Sequence, residues 1–347
     1  MYIKKILLAI VFLGLGVAAY FAYFVYSAMF NPNTAFNNEN AYIYVKSTDE
    51  YNDVREQLEP LLLDIKKFDA LAEQKKYVSN IKAGKYVIKK GMSNNDIINS
   101  IRSNNLPVKV TFNNQESLAK LAGRVALQIE ADSVSILNAM KDESFYKKNN
   151  FNQATALGMY IPNSYELKWN TSAEQFRERM LTEYNRFWSE SRKSKAKSIG
   201  LSPEEVITLA SIVYEESKQA KEQPIVAGLY LNRIRIGMPL QADPTLKFAA
   251  YKLPKYKNTI IKRVLNIHKE IESPYNTYKN TGLPPGLITM PDISAIDAVL
   301  NYEKHKYIYM VADKGKIGYH KFAKGLAQHN ANAREYHKYL TSKGIKR

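Results

Sequence analysis

The run SPEEVITLASIVYEE, residues 202–216, reads as a helix whose start and buried side are both written in its residues. Ser202 suits the cap that accepts from the N3 amide, Pro203 stands at N1 where no donor is required, and Glu205 completes a capping box. Val206, Leu209, Ala210 and Val213 then recur at helical spacing and define one apolar face. At about 100° per residue, Glu216 falls on the flank of that stripe, between Leu209 and Ile212, and Glu215 falls on the opposite side. Burial disfavours a charged carboxylate, so Glu216 is placed to hold a proton near neutral pH, as a general acid must. The same spacing also fits a plain helix end, with Glu216 turned to solvent or paired with an arginine.

Toward the C-terminus a second helix starts at Pro224, carries Asn232, Arg233 and Arg235 in its last turns, and closes at Gly237. MPLQADPT, residues 238–245, reads as a polar turn in which Gln241 and Asp243 either contact a ligand or organise the chain before Pro244. SPYNTYKNTGLPPG, residues 273–286, packs Tyr275, Asn276 and Tyr278 with Pro and Gly into a rigid loop, a composition frequent at binding sites. Residues 307–312 read as a strand, and HKFAKGLAQHN, residues 320–330, holds two of the five His. The chain has no H-E-x-x-H, G-x-S-x-G, S-x-x-K or Walker motif, so neither a metal ion nor another cofactor is expected.

Toward the N-terminus, residues 117–187 read as mostly helical, interrupted at 158–163, with the two tryptophans, Trp169 and Trp188, nearby. Such rings suit either sugar stacking or a core. Residues 41–45 and 85–88 read as strands, 50–64 as a helix restarted at Pro60, 68–76 as a further helix, and 108–112 as a strand. Between them Gly91 turns the chain and Ser93 caps a helix with Ile97, Ile98 and Ile101 on one face. This strand–turn–helix unit resembles the LysM module of wall-binding proteins. NPNTAFNNEN, residues 31–40, reads as a tether or as the entry to this unit.

Residues 6–30 carry no charge. As a helix they reach roughly 37 Å, against a hydrocarbon core of about 30 Å. The run is too long for a signal peptide's apolar region, so it reads as an uncleaved anchor. Lys4 and Lys5 precede it, which orients the N-terminus to the cytoplasm and the rest of the chain outside. Fifty Lys+Arg against 33 Asp+Glu give +17 over 347 residues, but the charges are dispersed and an anchored exterior domain argues against nucleic acid as partner. With no Cys, disulfide scaffolds, thiol nucleophiles and iron–sulfur clusters are excluded. An exterior enzyme lacks ATP and NAD, which leaves hydrolysis, lysis or binding in the envelope.

LASIVYEES, IVAGLYLNRIRIGMPLQADPT, PYNTYKNTGLPPGLI, YMVAD and FAKGLAQHN, in this order over residues 209–330, resemble the endolytic murein transglycosylases of the YceG-like family. The resemblance implies an α+β fold: a cytoplasmic tail (1–5), a single transmembrane helix (6–30), a LysM-like subdomain (31–115), a helical connection (116–200) and a mixed α/β catalytic domain (201–347). The family's catalytic acid is the later glutamate of an A-S-I-V-x-x-E run, here Glu216, with Tyr214 and Glu215 at positions where relatives often carry a glutamate first. It implies lytic cleavage of MurNAc-β-1,4-GlcNAc bonds in nascent glycan strands, leaving 1,6-anhydro ends, at the cell membrane and beside peptidoglycan synthases such as penicillin-binding proteins. Asn232, Gln241, Asp243, Tyr275, Asn276 and Tyr278 are then expected around the sugar cleft. A non-catalytic glycan-binding scaffold and a hydrolytic muramidase are the alternatives.

Overall fold

The computed structural model describes residues 2–257, 259–261 and 263–343; the ends of the segments read as 1–5 and 201–347 therefore lie partly outside the described residues. The chain forms two compact units, one of residues 1–110, 126–131 and 165–172, the other of 111–125, 132–164 and 173–347.

In the first unit, α1 (Tyr2–Phe30) is apolar and exposed until its last turn, where Ser27 and Ala28 are buried. There Asn94 Nδ2 donates to the Ala28 carbonyl at 2.8 Å, and Asn33 donates to Asn94 Oδ1 at 2.7 Å and to the Asp64 carbonyl at 2.9 Å. Both asparagines are buried, and their bonds offset the desolvation of their amides. Residues 31–40 are therefore an ordered entry to the unit and not a tether, because Pro32 bridges to Ser93 and Thr34 to Leu62.

Strand β1 (Asn40–Val45) is followed by α2 (Tyr51–Leu58), a 3-10 turn at Pro60, α3 (Ile65–Gln74) and β2 (Gly84–Lys89). β2 pairs antiparallel with β1, Ile43 opposite Tyr86 and Val45 opposite Gly84. Gly84 has φ 154°, and a Cβ there would collide with the Asn105 side chain. Gly91, at φ 82°, then turns the chain into α4 (Asn94–Ser103), capped by Ser93 with Asp96 closing the box. Ile43, Val45, Phe68, Tyr86, Ile97 and Ile101 share one core. What stands established is a small α+β unit behind an apolar helix. β3 (Pro107–Phe112) follows.

The second unit begins with α5 (Leu118–Ala126), α6 (Ser133–Met140) and α7 (Glu143–Lys148). The stretch expected to be helical is then broken by β4 (Asn163–Lys168), most of which belongs to the 165–172 segment of the first unit and which pairs with β3. Its period is two, with Tyr165 and Leu167 buried and Glu166 exposed, a signal hidden by the helical segments around it. After α8 (Ala173–Phe187) and α9 (Glu190–Ser198) come α10 (Pro203–Glu216) and α11 (Gln223–Arg235). The segment read as a turn at 238–245 is in part α12 (Asp243–Tyr251), which Pro244 starts from its first turn. Helices α13 (Asn266–Lys269) and α14 (Ile293–Leu300), hairpin β5 (Tyr309–Ala312) with β6 (His320–Ala323), and α15 (Leu326–Ser342) complete the unit.

Helix α10 departs from the one-faced expectation. Val206 to Val213 are all buried, since α14, α11 and α12 pack around it. Its polar Ser211 is satisfied by donating to the Thr208 carbonyl at 2.7 Å and accepting from the Ile288 amide at 3.1 Å. The predicted cap is present, Ser202 Oγ accepting from the Glu205 amide while Glu205 accepts from the Ser202 amide.

Candidate active site

Glu216 is the last residue of α10, so a buried helix holds its backbone. Tyr230 on α11, itself 1% exposed, donates Oη–H to Glu216 Oε1 at 2.9 Å. With Oε1 engaged, Oε2 is the oxygen left to carry a proton. Burial pushes the carboxyl up to about 7; the Tyr230 bond opposes this, the Asp243 charge adds to it, and His320 and Arg233 pull it down. Such a group divides between acid and base at neutral pH, which suits a proton donor that must later accept. Glu215 is exposed and paired with Lys218 at 2.9 Å, on the other side as expected.

Asp243 opens α12 and is exposed, its Oδ1 accepting from Tyr278 Oη at 2.6 Å. The adjoining backbone is sewn to the 275–278 loop. Gln241, strained at φ 49°, donates its N–H to the Thr277 carbonyl at 2.9 Å, and Ala242 donates to Thr277 Oγ1 at 3.0 Å. Burial, with the Asp243 carboxylate beside it, holds the Tyr278 phenol well above its ordinary value, so it stays a neutral donor. Tyr275 is buried with its ring 4.7 Å from Phe248, and so shapes α12.

Two of the expected cleft residues serve the scaffold. Asn276 is fully buried; its Nδ2 donates to the Lys269 and Ile271 carbonyls and its Oδ1 accepts from the Tyr278 amide. Asn232 donates to the His305 and Tyr307 carbonyls at 2.8 and 3.0 Å and thereby ties α11 to the segment before β5. Gly228 permits the same approach, because a Cβ there would strike the Glu303 carbonyl.

Three neighbours of Glu216, Tyr230, Arg233 and His320, and Glu222, the partner of His320, carried no signal strong enough to single them out in the sequence. Tyr230 and Arg233 are three apart on α11, a same-face spacing that becomes informative only once α10 is known to lie against it. Arg233 is buried and donates to the Ile308 carbonyl at 2.7 Å and to Leu240 at 2.6 Å, joining the loop before Asp243 to the approach of β5. Glu222 and His320 are 98 positions apart. The His320 amide donates to Glu222 Oε1 at 2.6 Å and its Nδ1 lies 3.0 Å from Oε2. Burial alone would raise Glu222, but the His320 side chain, the His320 amide and the Ser217 hydroxyl together hold it below its ordinary value. Burial alone would lower His320, but the Glu222 bond and charge, with the Glu216 charge, raise it. The His320 side chain thus stands within electrostatic reach of Glu216, whose pKa it lowers when charged.

Tyr230→Phe removes the bond that favours the Glu216 carboxylate, so the Glu216 pKa rises further. The alkaline limb of kcat/KM, where the acid form is lost, is expected to move to higher pH while kcat falls as the carboxylate becomes harder to form. A pH–rate profile with an unmoved or lowered limb would show that Tyr230 does not act on Glu216.

The YceG-like family model matches residues 43–335. The chain is 30% identical over 308 residues to an endolytic murein transglycosylase of Bacillus subtilis, covering 81% of this chain and 82% of that one. It is 29% identical over 299 residues to one of Streptococcus pneumoniae, covering 78% of this chain and 53% of that relative's length. A crystal structure of a YceG-like protein from Listeria monocytogenes superposes with a TM-score of 0.55 at 26% identity, covering 85% of this chain and 99% of the other. A match spanning both units, with the A-S-I-V-x-x-E glutamate half-buried and held by a tyrosine, leads to one assignment: this chain belongs to the YceG-like family.

Proposed function

We propose that the protein is an endolytic murein transglycosylase, a carbon–oxygen lyase that cuts MurNAc-β-1,4-GlcNAc bonds within nascent peptidoglycan strands. The observation that carries this reading is the half-buried carboxyl of Glu216, raised to about 7 by desolvation and held by Tyr230. Protonated at Oε2, it gives its proton to the glycosidic oxygen as the C1–O4 bond breaks and positive charge develops at C1. As carboxylate it takes the proton of the muramyl C6 hydroxyl while O6 closes on C1, which restores the acid and yields the 1,6-anhydro end. No water is consumed and the scheme asks for no cofactor. Asp243, oriented by Tyr278, supplies negative charge beside the developing cation and positions the substrate, and Gln241 stands at the same loop. The relatives' naming as murein transglycosylases supports the substrate class.

Mass spectrometry of muropeptides released by the protein tests this directly. Anhydro ends support the lyase; reducing ends indicate a muramidase using a second carboxyl, the role open to Asp243; no release indicates a binding scaffold.

In this reading α1 is the membrane anchor, with the N-terminus in the cytoplasm and the rest of the chain outside, where nascent strands and their synthases are; its length and apolar composition support it. A reporter active only outside the cytoplasm, fused after Arg347, is expected to function; activity confined to the cytoplasm would overturn the orientation and the substrate together. The first unit's LysM-like role in holding glycan is supported by Tyr42 and Tyr44, 50% and 40% exposed on β1, with Trp169 edge-on to Tyr44 at 5.1 Å. Aromatic faces of this kind stack on sugar rings. Tyr42→Ala with Tyr44→Ala is expected to slow cleavage of long polymeric glycan several-fold more than of short oligomers. Equal slowing on both would assign the unit a purely structural role.

A further inference from the structure

The wall beyond Asp243 holds charges for which the bond cleavage has no use. A cavity of about 430 Å3 is lined by Lys247, Phe248, Tyr251 and Lys252 of α12 and its end, and by Glu215 and Glu116. That volume falls within the roughly 300–1,000 Å3 of ligand pockets. Both acids are already neutralised: Glu215 pairs with Lys218 at 2.9 Å and Glu116 with Lys120 at 2.6 Å. The lysines are not. Lys247 makes no hydrogen bond or ion pair among the described residues. Lys252 lies 4.4 Å from the ring centroids of both Phe248 and Tyr275 and has no carboxylate partner among them. Pro244, next after Asp243 at the head of α12, is among the cavity's lining residues, so the cavity shares that helix with Asp243.

Two unneutralised ammonium groups beside aromatic rings suit an anion carried on an apolar or peptidic arm. The amino-sugar backbone itself is neutral. Its acid groups are on the lactyl ether at O3 of the muramyl residue: the lactyl carboxylate where that arm is bare, or peptide carboxylates where it is extended. We propose that this cavity receives the carboxylate-bearing O3 arm of the muramyl residue, with Lys247 and Lys252 as its anion contacts and Phe248 and Tyr251 packing its apolar part. The assignment rests on the proposed function and adds the feature by which muramyl units are told from neutral sugars.

The test compares three glycan oligomers of one length: peptide-bearing, amidase-stripped with free lactyl carboxylates, and stripped with those carboxylates converted to methylamides. A hydrogen bond to a charged group is commonly worth about tenfold or more in binding. Lys247→Gln with Lys252→Gln is expected to lower kcat/KM at least about tenfold more on a carboxylate-bearing oligomer than on the methylamide. A loss confined to the peptide-bearing oligomer identifies the peptide as the source of the anion, one confined to the stripped oligomer identifies the lactyl group, and a loss on both supports the shared carboxylate chemistry. Equal loss on all three, or none on any, overturns the assignment. Lys247→Gln alone touches no structural partner and must show the same ordering, and Lys252→Arg, which keeps the cation, must restore it in the Lys252 variant. The same lysine dependence is read from binding of the three oligomers to the full-length Glu216→Gln protein by calorimetry. That arm keeps the cavity's assignment separate from the reaction, since absence of anhydro products from the unsubstituted protein would refute the function alone.

Discussion

Glu216→Gln is expected to fold, to bind glycan, and to release no anhydromuropeptide above background. The substitution preserves size and the bond from Tyr230 but removes both the proton donated to the leaving oxygen and the base that takes it from the C6 hydroxyl. A general acid or base is typically worth about 10²–10⁴ in rate, and here one group serves in both steps, so the loss belongs at or above the upper end. Glu215→Gln, exposed and engaged only with Lys218, is the control and should retain most activity. Asp243→Asn should fall between, through loss of the charge held against Tyr278. Muropeptide release measured for the three variants decides the matter. Turnover surviving Glu216→Gln but not Glu215→Gln would transfer the catalytic role to the neighbour, and survival in both would favour the scaffold.

His320→Ala is expected to cost stability on the scale of a broken buried ion pair, about 3 kcal/mol. Glu222 is 3% exposed, and it would keep only the backbone amide and the Ser217 hydroxyl against its own desolvation. In a unit of this size such a loss lowers the midpoint of thermal unfolding by roughly 6–12 °C. The pH dependence follows from the two directions. His320 is raised when folded, so its contribution is complete below its ordinary value of 6.5 and is lost as pH rises through the folded value. Glu222 is lowered when folded, so its contribution is complete above its ordinary value of 4.5 and is lost as pH falls through the folded value. The stability difference between the protein and His320→Ala, measured by denaturant titration, should therefore be largest between about pH 4.5 and 6.5 and shrink on the alkaline side. A difference that grows from pH 6.5 to pH 9 would falsify the imidazolium. Because the His320 charge also lowers the Glu216 pKa, the variant should show its alkaline activity limb displaced upward.

Much of this molecule was legible in one dimension, where the relevant physics is local. Caps, prolines and glycines act within about four residues, so the start of α10 at Ser202, the restart at Pro60, the turn at Gly91 and the end of α11 before Gly237 could be read directly. Length and absence of charge marked α1. The motif order pointed to the family. Where local signals are mixed the sequence is ambiguous: the period-two pattern of β4 lies among helical segments, and the first residues of α12, Asp243 and Pro244, are as common in turns as at helix starts.

The state of the acid was decided in three dimensions. Helical phase placed Glu216 on the flank of a stripe, but α10 has no free face over residues 206–213, so the stripe did not bury the carboxyl. Packing around the end of α10 desolvates it, with the Asp243 charge adding to the upward shift, and desolvation depends on everything within several ångströms irrespective of chain order. The Glu222–His320 pair spans 98 positions and the Asp243–Tyr278 bond 35, separations at which sequence carries no geometric information. Asn232 and Asn276 make the converse case. Their residue types suited sugar contact, yet the fold gives their amides to backbone carbonyls, because a buried polar group must be satisfied where it lies. Sequence determined which residues the site could draw on, since residue chemistry and helix starts are local properties. Tertiary structure alone decided which of them face Glu216 and how its pKa is shifted, since burial and charge act through space.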